Sequence, residues 1–140
     1  MEPSAPRHTA DVFPGDTWRL FRVSRPSVLL IGADADVERA IQVITASELD
    51  AIAVWPGAEG QALPGSDAMT ILVRHVASLD AQQQERLHHW LGDRSGGVRV
   101  IATSPMPLYD LVEQHQFLEP LYYRINVVCL EATAFESVAV

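Results

Sequence analysis

The sequence predicts an α/β domain: a mostly parallel five-stranded sheet with helices on its faces. Three observations carry this. Short apolar runs recur without polar alternation, the pattern of strands buried on both faces. Between them lie segments whose apolar residues repeat at helical spacing. The order of the two kinds is β-α-β-β-α-β-α-β, which suits crossover-connected parallel strands rather than hairpins.

Each element has its own signal. "SVLLIG" (27–32) is the first buried strand, and "DVERAIQVITA" (36–46) places Val37, Ala40, Ile41 and Ile44 on one helical face. "AIAVW" (51–55) reads as a second buried strand, followed by a Gly/Pro loop over 56–67. "MTILV" (69–73) is the third strand. The helix after it is well marked: Asp80 can cap it with Gln83 three residues on, Leu87, Trp90 and Leu91 form its apolar face, and Gly92 can end it. "VRVIAT" (98–103) is the fourth strand, "PLYDLVEQ" (107–114) a short helix opened by proline, "EPLYYR" (119–124) a further helical turn, and "INVVCL" (125–130) the fifth strand. Residues 1–26 hold Pro3, Pro6, Pro14 and Gly15 without a sustained period and read as an arm, from which Trp18, Leu20 and Phe21 could dock. The expected division is arm 1–26, domain 27–130 and tail 131–140, the apolar tail being able to add a strand to a sheet edge.

Composition narrows the function classes. With 140 residues, 48% apolar and 20% charged, the chain has the make-up of one ordinary soluble domain. No run approaches the roughly 20 apolar residues of a membrane span, and the N-terminal stretch has no secretory h-region. The single cysteine, Cys129, excludes an internal disulfide, fits a reducing cytoplasm, and is expected as an inert residue of a buried strand. The net charge is −8, and all ten basic residues are arginine. A basic face for neutralising phosphates is missing, so direct DNA binding is not expected.

"VLLIGADADVER" (28–39) raises the functional question. A strand ends in glycine, a polar turn follows, and a helix begins, which is where many α/β proteins seat a nucleotide phosphate. Yet the turn brings Asp34, Asp36 and Glu38 and no lysine.

The second half carries a resemblance. "MTILVRHVASLDAQQQERLHHWL" followed by "VRVIATSPMPLYDLVEQHQFLEPLYYRINVVCL" resembles the AAA+ domain of sigma-54-dependent (NtrC-type) transcription activators. In that family a TLFLDE-type strand leads to an LQxKLLRVL helix, then to RVIAATN, then to F-R-x-D-L-Y-Y-R-L-N-V. "FLEPLYYRINVV" (117–128) is the most specific match, and "PSVLLIG" fits the family's first strand. The resemblance implies a P-loop NTPase-like three-layer sandwich, here expected without the lid subdomain, the GAFTGA loop that grips sigma-54, or a helix-turn-helix.

The departures from the family decide the expected chemistry. A phosphate loop reads G-x-x-x-x-G-K-[ST], its glycines letting amides face the phosphates and its lysine neutralising their charge. Aligned from Gly32, Val37 stands for the second glycine, Glu38 for the lysine and Arg39 for the Ser/Thr. A carboxylate about 6 Å from a phosphate charge costs on the order of 3 kcal/mol at an effective dielectric near 20. A helix N-terminus returns only about 1 kcal/mol. The third strand should end in Asp-Glu to hold Mg²⁺ and polarise water; it ends in Arg74-His75, a poor pair for so hard a cation. The family's sensor asparagine is Ser104, and of the arginine pair that reaches a neighbouring subunit only Arg124 remains, Leu118 and Pro120 replacing the first arginine and the aspartate.

Other constellations carry less. Asp34, Asp36 and Glu38 read as helix-start carboxylates favoured by the dipole. The opening also echoes a receiver domain, but Arg74 closes the third strand and the chain holds no lysine, so that site is not expected. His88 and His89 point about 100° apart on a helix and do not chelate one metal. Arg124 is expected to pair with Glu119, Glu113 or Glu131, and Tyr122 and Tyr123 to pack the last strand; the three are the candidate interface residues. The expectation is a catalytically inactive AAA+-like domain, with no cofactor or metal, that binds a protein partner such as an AAA+ relative or itself. The alternative is a residual ATP-binding sensor or weak ATPase.

Overall fold

The computed structural model describes residues 20–21, 23–46, 52–56, 62–64, 69–93 and 97–135. Five strands form one sheet: β1 (Val28–Ile31), β2 (Ile52–Val54), β3 (Thr70–Val73), β4 (Arg99–Ser104) and β5 (Val128–Glu131). Their spatial order is β2-β3-β4-β1-β5 and every pairing is parallel. Parallel neighbours need crossovers, and the helices α1 (Asp34–Thr45), α2 (Ala81–Asp93), α3 (Tyr109–Glu113) and α4 (Glu119–Ile125) lie in those connections. Short 3₁₀ turns follow β3 (Val76–Ser78) and β5 (Ala132–Phe135).

The alternation of strand side chains divides the core into two layers. On one side of the sheet Leu29, Ile31, Ile71, Val73, Val100 and Ala102 pack under α2, α3 and α4. On the other, Val28, Leu30, Leu72 and Ile101 meet Val37, Ala40, Ile41 and Ile44 of α1. β1, β3 and β4 are buried at every residue, including the polar Thr70, Arg99, Thr103 and Ser104 at the ends of β3 and β4.

Four local expectations are corrected. β2 is an edge strand whose residues Ile52 and Val54 are exposed, so its apolar run does not mark burial on both faces; the buried residue there is Trp55. β5 is the other edge: Cys129 points to solvent instead of into the core. Ile125, expected to open β5, closes α4 and is fully buried. The domain also continues past residue 130, because Ala132 and Phe135 are fully buried against α1. Phe21 of the arm docks as expected, Leu20 stays exposed, and Trp18 lies outside the described residues.

The loop expected over 56–67 lies largely outside the described residues. Of its described residues, Leu63 packs into the core on the α2 side, and the Pro64 carbonyl accepts from Trp90 Nε1 at 3.1 Å. The start of α2 has the expected capping box. Asp80 Oδ1 accepts from the Gln83 amide at 2.8 Å, and Gln83 Oε1 accepts from the Asp80 amide at 2.9 Å. The helix runs on to Asp93 with Gly92 inside its last turn.

Candidate functional site

In an open parallel sheet the place for a ligand is the crevice at the carboxyl ends of the strands, where crossovers leave in opposite directions. β1 is that point here: α1 leaves it for one face, while α2 to α4 occupy the other. The register sets Ile31 beside Ser104, so Gly32, Arg74, His75, Thr103 and Ser104 all end at one rim.

The turn from β1 into α1 is short. Gly32 and Ala33 alone separate Ile31 from Asp34, where the helix starts. Val37, Glu38 and Arg39 therefore lie within the first turns of α1 rather than in a loop. Val37 is turned into the core, Arg39 is exposed, and Glu38 is half-buried at the rim. Gly32 donates its N–H to the Ser104 carbonyl at 3.0 Å. A Cβ on Gly32 would stand 2.9 Å from Ala132 Cβ, so the space in front of the glycine is already filled by the 3₁₀ turn after β5.

One ion pair and one histidine–carboxylate contact bridge the rim. Arg74 binds Glu38 with both arms of its guanidinium, Nε to Oε2 at 2.5 Å and Nη2 to Oε1 at 2.9 Å. The hydrogen bond from Arg74 is the main reason the Glu38 carboxyl lies below the usual glutamate range, with partial burial opposing and the charge of Arg74 reinforcing. His75 Nε2 lies 3.0 Å from Asp34 Oδ1. His75 itself sits in the left-handed region at φ 52°, its amide donating to Thr103 Oγ1 at 2.9 Å. Ser104 is turned inward: its hydroxyl donates to the Met106 carbonyl at 2.5 Å and accepts from the Met106 amide at 3.3 Å.

The structure thus brings together Gly32, Glu38, Arg74, His75 and Ser104 but leaves Arg124, Tyr122 and Tyr123 elsewhere, on α4. Arg124 is corrected in detail. It takes no carboxylate partner among the described residues; its Nη2 donates to the Leu91 carbonyl at 2.5 Å, in the last turn of α2, where unpaired carbonyls favour a cation. Tyr122 is half-buried and accepts from Asn126 Nδ2 at 3.0 Å, while Tyr123 is exposed, edge-on to Tyr122 with ring centroids 5.2 Å apart. Among the described residues no group of His, Cys, Asp or Glu could hold a metal ion.

Sequence reasoning treated Glu38 and Arg74 separately. The signal for their pairing was available: in the alignment from Gly32, an acid, Glu38, falls where a lysine is expected, and a base, Arg74, falls where an acid is expected. It missed Gln84, a buried polar residue that occupies the apolar face of α2 three residues before Leu87. It also missed the Asp34–His75 contact, which depends on the turn being too short to hold the two apart.

An all-parallel β2-β3-β4-β1-β5 sheet between helical layers is the P-loop NTPase-like fold. The sequence matches the Sigma-54 interaction domain family over residues 39–135, and the chain belongs to that family. It is 33% identical over 79 residues to the HTH-type transcriptional regulatory protein TyrR of Haemophilus influenzae, a match covering 49% of this chain and 25% of that protein. Among solved structures it resembles ADP-bound NtrX from Brucella abortus, with a TM-score of 0.59 at 17% identity over 94% of this chain and 38% of that one. It also resembles the P-loop NTPase domain of the sigma-54 transport activator from E. coli, with a TM-score of 0.52 at 15% identity, covering 82% of this chain and 93% of that one. These structural likenesses show the fold. The chain spans about a quarter of the length of the curated relative.

Proposed function

We propose that this domain acts in bacterial transcriptional regulation of the sigma-54 type as a catalytically inactive protein-interaction module. The Glu38–Arg74 pair carries the reading. In a working P-loop site the lysine faces the phosphates and an acidic residue at the end of β3 helps hold Mg²⁺. Here a carboxylate and a guanidinium stand at those places and neutralise each other. A triphosphate entering the rim would meet Asp34, Asp36 and Glu38 and would have to break the pair. The two-residue turn and the packing of Ala132 on Gly32 further support it, because a phosphate-cradling loop needs several amides around an open space.

The partner in this reading is a protein of the sigma-54 transcription machinery, an AAA+ relative, or a second copy of the chain. The acidic balance gives no support to direct DNA contact.

Calorimetric titration with Mg·ATP tests the reading. No binding is expected up to millimolar nucleotide, and no phosphate release above background. A dissociation constant of roughly 100 µM or tighter, near −5.5 kcal/mol, would favour a residual nucleotide sensor or weak ATPase instead.

A further inference from the structure

A second concave region lies on the opposite helical layer, away from the β1 rim. It is a cleft of about 560 Å³ between the N-terminal half of α2, α3 and the turn into α4. That volume is within the range of sites that enclose a small ligand or one anchoring side chain. Its floor is fixed by Gln84, which is 4% exposed. The Gln84 amide donates to the carbonyls of Leu79 at 2.9 Å and Gln116 at 3.3 Å, and its Oε1 accepts from the Leu118 amide at 2.7 Å. A buried side chain with three such bonds holds the α3–α4 turn to α2, so the cleft is formed before any partner arrives.

Three carboxylates line the cleft, Glu85, Glu113 and Glu119, each on a different helix and each exposed. None of the three joins an ion pair among the described residues, in contrast to Glu38 of the β1 rim. Tyr109 forms one wall, and its ring begins an aromatic surface through Tyr122, 6.3 Å away, to Tyr123. The negative field is felt there: the charge of Glu113 foremost, then its hydrogen bond, with Glu119 adding, holds the Tyr109 phenol above its ordinary range. The carboxylates do not converge closely enough to hold a metal ion. Spread acidic groups beside aromatic faces match a broad, planar cation instead. A guanidinium has that shape: it bonds carboxylates through its edge and stacks on rings through its face.

We propose that this cleft is a docking groove for an arginine-bearing segment of a protein partner, with a guanidinium seated between Glu113, Glu119 and the Tyr109 ring. The inference rests on the interaction role proposed above and identifies the surface that serves it.

Fluorescence anisotropy of the full chain with a labelled octa-arginine peptide tests it at low salt. The Glu113→Gln/Glu119→Gln pair is expected to weaken binding about five- to tenfold, and Tyr109→Leu by about threefold. Asp93→Asn/Glu131→Gln makes the same change in net charge away from the cleft and should weaken it by less than about twofold. All the altered side chains are exposed, so each variant is expected to melt within a few degrees of wild type, which thermal melts check. Equal losses in the two pairs would mean attraction by overall charge and would overturn the proposal, as would absence of saturable binding. The Mg·ATP titration separates the two claims. Nucleotide binding would overturn the inactive role whatever the peptide does, whereas failure of the peptide with no nucleotide bound would overturn the groove alone.

Discussion

The rim at the end of β1 and the cleft under α3 both gather carboxylates, and they differ in where those charges find partners. At the rim Glu38 is neutralised by Arg74, and Asp34 has His75 beside it, so carboxylates find partners within the domain. In the cleft Glu85, Glu113 and Glu119 stand beside tyrosine and proline, and among the described lining residues the one basic side chain is His115. Internal pairing closes a site, and unpaired charge on a rigid floor leaves one open. On the reading proposed above, the two conditions have changed places relative to the usual P-loop arrangement, in which the β1 rim is the open one.

Backing for the rim gives the largest expected effect. Phe135 is fully buried behind α1 and anchors the 3₁₀ turn that fills the space before Gly32. Phe135→Ala should lower stability by about 3–5 kcal/mol in denaturant unfolding. A loss below about 1 kcal/mol would mean that the turn is not part of the folded core, and the rim would then be open.

The floor of the cleft comes next. Gln84→Ala leaves the Leu118 amide without its acceptor and removes two bonds to carbonyls, for an expected loss of about 1–3 kcal/mol. Peptide affinity should fall with it, although no charge has changed. An unchanged affinity would show that the cleft does not need its preformed floor. Asp80→Ala, which breaks the capping box at the same end of α2, should cost about 1 kcal/mol in the same assay.

The rim ion pair has the smallest expected effect on stability. Both side chains are partly exposed, so Arg74→Gln should cost less than about 1 kcal/mol near neutral pH. Its pH dependence is more diagnostic. The folded pKa of Glu38 is lowered, so the pair's contribution is complete above the usual glutamate value and is lost as pH falls through the lowered one. Stability curves of wild type and Arg74→Gln should therefore differ at neutral pH and converge in acid. Curves that stay parallel would mean that Arg74 acts through packing rather than through Glu38.

The sequence was most legible where burial is uniform. β1, β3 and β4 are central strands, and the apolar runs at their centres can be read without knowing their neighbours. The ends of the sheet were less legible. "AIAVW" looks like a central strand, yet β2 lies at an edge, and the position of Cys129 on β5 reverses for the same reason. Strand order is fixed by crossovers, and a local pattern does not encode it. For the site, Gly32, Arg74, His75 and Ser104 were legible because each stands at or just past the end of a recognisable strand, whereas Glu38, inside α1, was reached only by its offset from Gly32. The partner of Arg124 was not, since a helix-terminal carbonyl leaves no mark in the sequence.

By itself the sequence determined the α/β alternation, the capping box of α2, the family likeness and the opposite charges of Glu38 and Arg74. These depend on residues close together in the chain or on identity at fixed places in a motif. Only the tertiary structure decided that Glu38 and Arg74 neutralise each other, that Ala132 fills the space before Gly32, and that three glutamates from three helices share one cleft. Each of those joins residues that are far apart in sequence, and their meeting is set by crossover geometry and side-chain packing rather than by any local signal.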